Sequence, residues 1–232
     1  MALPSISTPE FQTVIPSTSE TISYRPFLVK EEKILLMAME GGDANEMSNA
    51  MLKILKECIL TDIDVSKLAT FDVEYLFLTL RGKSVGEVIT LNVKHTGETE
   101  CKHLTELKVS VDDIEVHGEI NDGKIMLTDD VGIKLRYPQM TDLYDVSTAD
   151  SESMFKMIRK CIEYVFDQND VYSDFTEKEL EAWIDGLNQT QFKMIAKFFE
   201  DAPKLTHTIE WTCEQCKEKD NIKLEGLQSF FT

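Results

Sequence analysis

The hydrophobic pattern of this chain switches from a helical period to an alternating one, and then does so a second time. Met47, Ala50, Met51, Ile54, Leu55, Cys58 and Ile59 follow the i, i+3, i+4, i+7 spacing of an apolar helical stripe. After Gly82 and Gly86 the period falls to two: Val88 and Thr90 alternate with Ile89, Leu91 and Val93, and Leu107, Val109 and Val111 do the same. Met154, Met157, Ile158, Cys161 and Ile162 then repeat Met51, Ile54, Leu55, Cys58 and Ile59 at a constant offset of 103. A chain that alternates in this way predicts helices packed on small antiparallel sheets.

Smaller signals fill in the two copies. Lys30 to Met39 favours a helix stopped by Gly41-Gly42, and a further helix is expected from about Phe71 to Leu80. Ile22 to Pro26 reads as a short strand, and Ile114 to Leu135 as strands around an Asn121-Asp122-Gly123 turn signal. Thr176 and Glu179 fit a capping box that opens a helix through Trp183 to Leu187. Phe192, Ile195, Ala196 and Phe199 mark one more helix before Pro203, and strands follow at Leu205 to Trp211 and Ile222 to Leu224. Tyr24-Arg25-Pro26 leads into the first copy and Arg136-Tyr137-Pro138 into the second. The expected fold is therefore α+β, in two similar halves, each with helices on a small antiparallel hairpin and a zinc-ribbon-like knuckle. The expected partition is an extended segment over 1–21, a first half over 22–135 and a second half over 136–232. Met51 and Met154, and Cys58 and Cys161, are expected at equivalent buried positions.

Composition narrows the function. Forty-two Asp and Glu against 24 Lys and Arg give a formal charge of −18. Such a chain repels phosphate backbones and anionic lipid surfaces, so neither nucleic acid nor membrane is expected as a partner. No apolar run approaches the ~20 residues that span a bilayer, and Met1 to Ser7 lacks the basic and apolar regions of a secretory signal. Five cysteines, an odd number, argue against a disulfide framework. No Gly-rich phosphate loop, nucleophile elbow or His-Glu-x-x-His is present, and no catalytic residue or enzymatic activity is expected.

The strong chemical signal is Cys213-x-x-Cys216, placed between two expected strands. Two thiolates at this spacing suit a tetrahedral zinc ion. Cys101, in the matching stretch of the first half, supplies a third thiol, and no second cysteine precedes it in Thr96-Gly97-Glu98-Thr99-Glu100. His103, favoured over His95, completes the expected metal set of Cys213, Cys216, Cys101 and His103, with His207 a further candidate. Such a site would bring the two knuckles together and staple the halves. The alternatives are a metal-free vestige of duplication and a redox-active pair. Cys58 and Cys161 read as core residues. Phe230-Phe231 at the end of the sequence either dock onto the core or mark a partner surface.

Three stretches carry a family resemblance. They are Tyr24-Arg25-Pro26-Phe27-Leu28-Val29-Lys30-Glu31-Glu32-Lys33-Ile34-Leu35-Leu36-Met37-Ala38, then Thr70 to Leu78 with Leu80-Arg81 and Lys83 to Glu87, and finally the knuckle before Ile222-Lys223-Leu224-Glu225-Gly226-Leu227 with the Phe230-Phe231 ending. The chain resembles the baseplate hub proteins of T-even-type contractile-tailed bacteriophages. Members of that family carry Cys-x-x-Cys at the first knuckle too, from which the stretch before Cys101 departs. The resemblance implies a non-enzymatic structural subunit of the tail baseplate, assembled in the host cytoplasm into a hetero-oligomeric complex with other baseplate and hub proteins. The alternative it leaves is a transient assembly factor absent from the finished virion.

Overall fold

The computed structural model describes residues 6–95, 101, 103–144 and 151–230. The chain forms two compact units, one of Met1–Val65, Phe71–His117 and Lys204–Thr232, the other of Ser66–Thr70 and Gly118–Pro203. The fold is α+β, with six α-helices and several small antiparallel sheets among the described residues. No described helix is long and apolar enough to cross a membrane.

The first unit begins with the antiparallel pair β1 (Phe11–Val14) and β2 (Thr21–Tyr24). The first of these was not expected, because the Pro and Ser/Thr content around it hides a four-residue strand. Helices α1 (Val29–Gly41) and α2 (Ala44–Cys58) follow, the latter capped by the Asp43 side chain on the Asn45 N–H at 2.8 Å. The apolar stripe of α2 is buried as its spacing requires: Met51, Ile54, Leu55 and Cys58 are all in the core. Helix α3 (Thr70–Val85) runs longer than the sequence suggested and buries Phe71, Val73, Leu76, Phe77, Leu78 and Leu80. Hydrophobic on more than one face, it is enclosed rather than laid on a surface. Two further sheets complete this unit. One pairs β3 (Val88–Val93) with β4 (Thr105–Ser110); the other has β10 (Lys204–Thr212) between β5 (Glu115–His117) and β11 (Lys219–Glu225).

The second unit sets α4 (Ser151–Cys161), α5 (Glu177–Asp185) and α6 (Gln189–Glu200) with a four-stranded antiparallel sheet. The strand order is β6 (Lys124–Met126), β7 (Gly132–Leu135), β8 (Ile162–Phe166) and β9 (Val171–Tyr172). Leu135, Ile158, Ile162, Leu180, Ile195 and Phe198 belong to its shared core. The capping box at α5 forms as the sequence indicates, Glu179 Oε2 accepting from the Thr176 N–H at 2.8 Å.

Several expectations need correction. Asn121-Asp122-Gly123 is a turn, with Gly123 at φ 71°, but the strands on either side of it do not pair with each other: β5 pairs with β10 while β6 pairs with β7. Its side chains close Asx turns, Asn121 Oδ1 on the Gly123 N–H at 2.9 Å and Asp122 Oδ1 on the Lys124 N–H at 3.0 Å. Met154 is 42% exposed where Met51 is 4% exposed. Met51 lies mid-way along α2, which α1 covers, whereas Met154 sits in the first turn of the shorter α4. Cys58 and Cys161 are both fully buried.

One polar device recurs in both units. The Arg25 N–H donates to the Cys58 carbonyl at 3.0 Å, and its Nη2 donates to the Glu57 carbonyl at 3.0 Å and to Glu31 Oε1 at 2.8 Å. Glu31 Oε2 in turn accepts the Leu28 N–H at 2.8 Å. In the second unit the Arg136 N–H donates to the Cys161 carbonyl at 2.9 Å, its Nη2 donates to the Lys160 carbonyl at 2.8 Å, and its Nη1 donates to Asp142 Oδ2 at 2.6 Å. Asp142 Oδ2 also accepts the Gln139 N–H at 2.8 Å. Each arginine thus occupies carbonyls left over at a helix C-terminus while its partner acid holds the start of the next turn.

Burial by itself would raise the Glu31 carboxyl, but Arg25, the Leu28 N–H and Lys30 outweigh it and hold the group down at about 2. Its contribution to stability is therefore complete above the ordinary value of 4.5 and is lost as pH falls towards about 2. Thermal melts across that window should show a shallower acid loss in Glu31→Gln than in the parent. Arg25→Ala, which leaves the buried Glu31 carboxylate to Lys30 and the Leu28 N–H, should cost about 2 kcal/mol by denaturant unfolding at neutral pH.

Candidate metal centre

Two hairpin loops of the first unit converge on one point. The loop between β3 and β4 carries His95, two residues past Val93, and Cys101, four residues before Thr105. The loop between β10 and β11 carries Cys213 and Cys216, directly beyond the Thr212–Lys219 pair that ends the ladder. That second loop is tight: the Cys213 N–H donates to the Glu218 carbonyl at 2.9 Å and the Lys217 N–H to the Cys213 carbonyl at 3.1 Å. Lys217 takes a left-handed conformation, φ 64°, to complete the reversal.

One ligand atom each from His95, Cys101, Cys213 and Cys216 lies within 4.8 Å of all the others. Cys101 Sγ and Cys213 Sγ are 3.8 Å apart, and His95 Nε2 is 3.1 Å from Cys216 Sγ. Sulfurs bound at about 2.3 Å to a tetrahedral ion are about 3.8 Å apart, so the thiol pair already has the edge length of a zinc site. Cys213 is buried and Cys216 exposed, which puts one ligand at the base of the cluster and one at its rim.

The thiols are electrostatically unequal. Backbone N–H groups of Cys216 and Gln215, with His95 and the Cys216 thiol, pull Cys213 down to about 5 against the opposing effect of burial. Cys216 takes a hydrogen bond from the Glu218 backbone, which lowers it, yet burial and the neighbouring Cys213 and Cys101 sulfurs leave it raised overall. The knuckle therefore stabilises one thiolate through its own backbone, the state in which sulfur binds metal. Burial has the opposite effect on the core thiols, pushing Cys58 up to about 11 and Cys161 up to about 12.

The structure brings Cys101, Cys213 and Cys216 together, with His95 in the place expected for His103. His103 Nε2 instead lies 3.9 Å from the Glu214 carboxylate. His95 is better placed because it leaves β3 directly towards the knuckle. The loops that meet belong to one unit, so an ion here would join two hairpins of that unit rather than staple two halves. Gly97, in the stretch where a fourth cysteine was sought, and Phe231 lie outside the described residues. Phe230 is 1% exposed and docks in the core.

Two neighbours of the cluster escaped the sequence reading. Asp220 Oδ2 is 3.6 Å from His95 Nδ1, and the Trp211 ring packs on the imidazole with centroids 4.9 Å apart. The signal was available: a hairpin closed by the Cys-x-x-Cys knuckle sets Trp211 directly opposite Asp220.

A family model described as T4 bacteriophage base plate protein matches residues 8–232. The chain belongs to that family. The match runs through both hairpin loops and through all three stretches that carried the resemblance. Searches among curated proteins and among solved structures found no match. For this base plate protein, the inequality of the thiols has a direct readout. In chelator-treated protein, thiolate absorbance should already be present at pH 7 and disappear on acidification through about pH 5. Cys213→Ser should abolish that step, and Cys58→Ser should leave it intact.

Proposed function

We propose that the chain is a non-enzymatic structural subunit of the baseplate hub, acting through protein–protein contacts in tail assembly. The family match over residues 8–232 carries this reading, and the stretches at Tyr24–Ala38 and Thr70–Glu87 add the resemblance to hub proteins in particular. Its partners are other baseplate and hub proteins, and its place is the tail baseplate of the virion. The four-residue cluster serves this role as a zinc-ribbon-like structural site, its donor set of three sulfurs and one imidazole nitrogen being one that zinc favours. The matched arginine clamps at Arg25 and Arg136 support a common origin for the two helix-and-strand segments that they close.

Mass spectrometry of purified virions tests the role. A structural subunit is present at fixed stoichiometry to other baseplate proteins; a protein found in assembly intermediates and missing from virions is a transient hub assembly factor. Elemental analysis of protein purified without chelator should find about one zinc per chain, and Cys213→Ser should lose both the metal and thermal stability. A formal charge of −18 calls for basic patches on the partners. Association should therefore slow several-fold between about 30 and 300 mM salt as the Debye length shortens. An on-rate indifferent to salt would instead indicate an interface dominated by apolar contacts.

A further inference from the structure

The two nitrogens of His95 face different chemistry. Nε2 points into the thiols, 3.1 Å from Cys216 Sγ, while Nδ1 faces the Asp220 carboxylate at 3.6 Å. We propose that Asp220 is the positioning residue that holds His95 as the fourth zinc ligand, fixing both its tautomer and the direction of its ring. This rests on the zinc reading of the same cluster.

Proton placement sets the role of each nitrogen. A neutral imidazole carries one N–H, and a metal on Nε2 puts that proton on Nδ1. The Nδ1–H is then directed at Asp220, the acceptor that a ligating histidine requires of its surroundings. At 3.6 Å the pair is an electrostatic contact rather than a hydrogen bond. The side chain of His95 is 4% exposed and that of Asp220 19%, so water screens the contact weakly. Asp220 is itself fixed: its Oδ1 accepts the Asn221 N–H at 2.8 Å, which leaves Oδ2 on the histidine side.

The indole of Trp211 supplies the other constraint. It packs against the imidazole at 35° between ring planes, and its partner in the β10–β11 ladder is Asp220 itself. One cross-strand pair therefore restrains the histidine at its edge through the carboxylate and at its face through the indole. His103 has no comparable support, being 37% exposed and 3.9 Å from an exposed glutamate.

The test is zinc affinity of the full chain, measured by competition with a chromophoric chelator, with cobalt(II) spectra as the report on the imidazole. Asp220→Ala should weaken zinc about 10- to 100-fold and shift the cobalt ligand-field bands. Asp220→Asn, which keeps an oxygen for Nδ1–H, should recover part of the loss, and His103→Ala should bind like the parent. Melts of the zinc-free proteins separate this effect from folding, since parent and Asp220→Ala should then unfold together. A parent that binds zinc with an Asp220→Ala variant of equal affinity and unchanged cobalt spectrum would overturn the role of Asp220 alone. A parent that takes up no zinc would overturn the zinc reading, and this inference with it.

Discussion

The loose carbonyls at the ends of α2 and α4 set a problem that both units solve with an arginine. A helix that stops at a buried cysteine leaves acceptors near the core, where water is scarce and an unpaired group is costly. Arg25 and Arg136 reach those acceptors with backbone and guanidinium together. The guanidinium needs a counter-charge in such a place, and Glu31 and Asp142 supply it from six residues further along. Each acid also caps the turn in which it sits. Strand end, helix end and helix start are thereby locked by one ion pair. In the first unit this clamp is also what lets α1 begin where it does, and so lets it cover α2.

The helices were legible because their apolar spacing reports burial on one face, as Met51, Ile54, Leu55 and Cys58 show. The strand order was not. Pattern tells which residues alternate, but a ladder partner can lie almost anywhere in the chain. Hence β5, which precedes the Asn121-Asp122-Gly123 turn, pairs with Lys204–Thr206 rather than across it. Met154 failed for a related reason: its spacing is that of a buried position, yet burial depends on what covers the helix, and α4 begins too close to it.

At the cluster, three of four expected ligands came from residue type and spacing alone. The choice between His95 and His103 turned on features invisible to spacing. One residue leaves a strand towards the knuckle beside an aromatic ring and a carboxylate; the other sits at the surface by Glu214. The preference for His103 over His95 weighed distance along the chain from Cys101. Metal geometry weighs direction in space, which here is set by the β3–β4 and β10–β11 ladders.

The first unit is discontinuous, since β10 and β11 return to it after the chain has passed through the whole of the second. During synthesis, Gly118–Pro203 emerges as one nearly self-contained stretch and can bury its core while the rest waits. The first unit has no such freedom. Its β5 edge lacks a partner until residue 204, and the loop holding His95 and Cys101 meets its opposing thiols when Cys213 and Cys216 have been made. Completion of the cluster thus waits on the loop between β10 and β11, and a chain cut after Thr212 would display an open edge on β10 and leave His95 and Cys101 without their thiol partners.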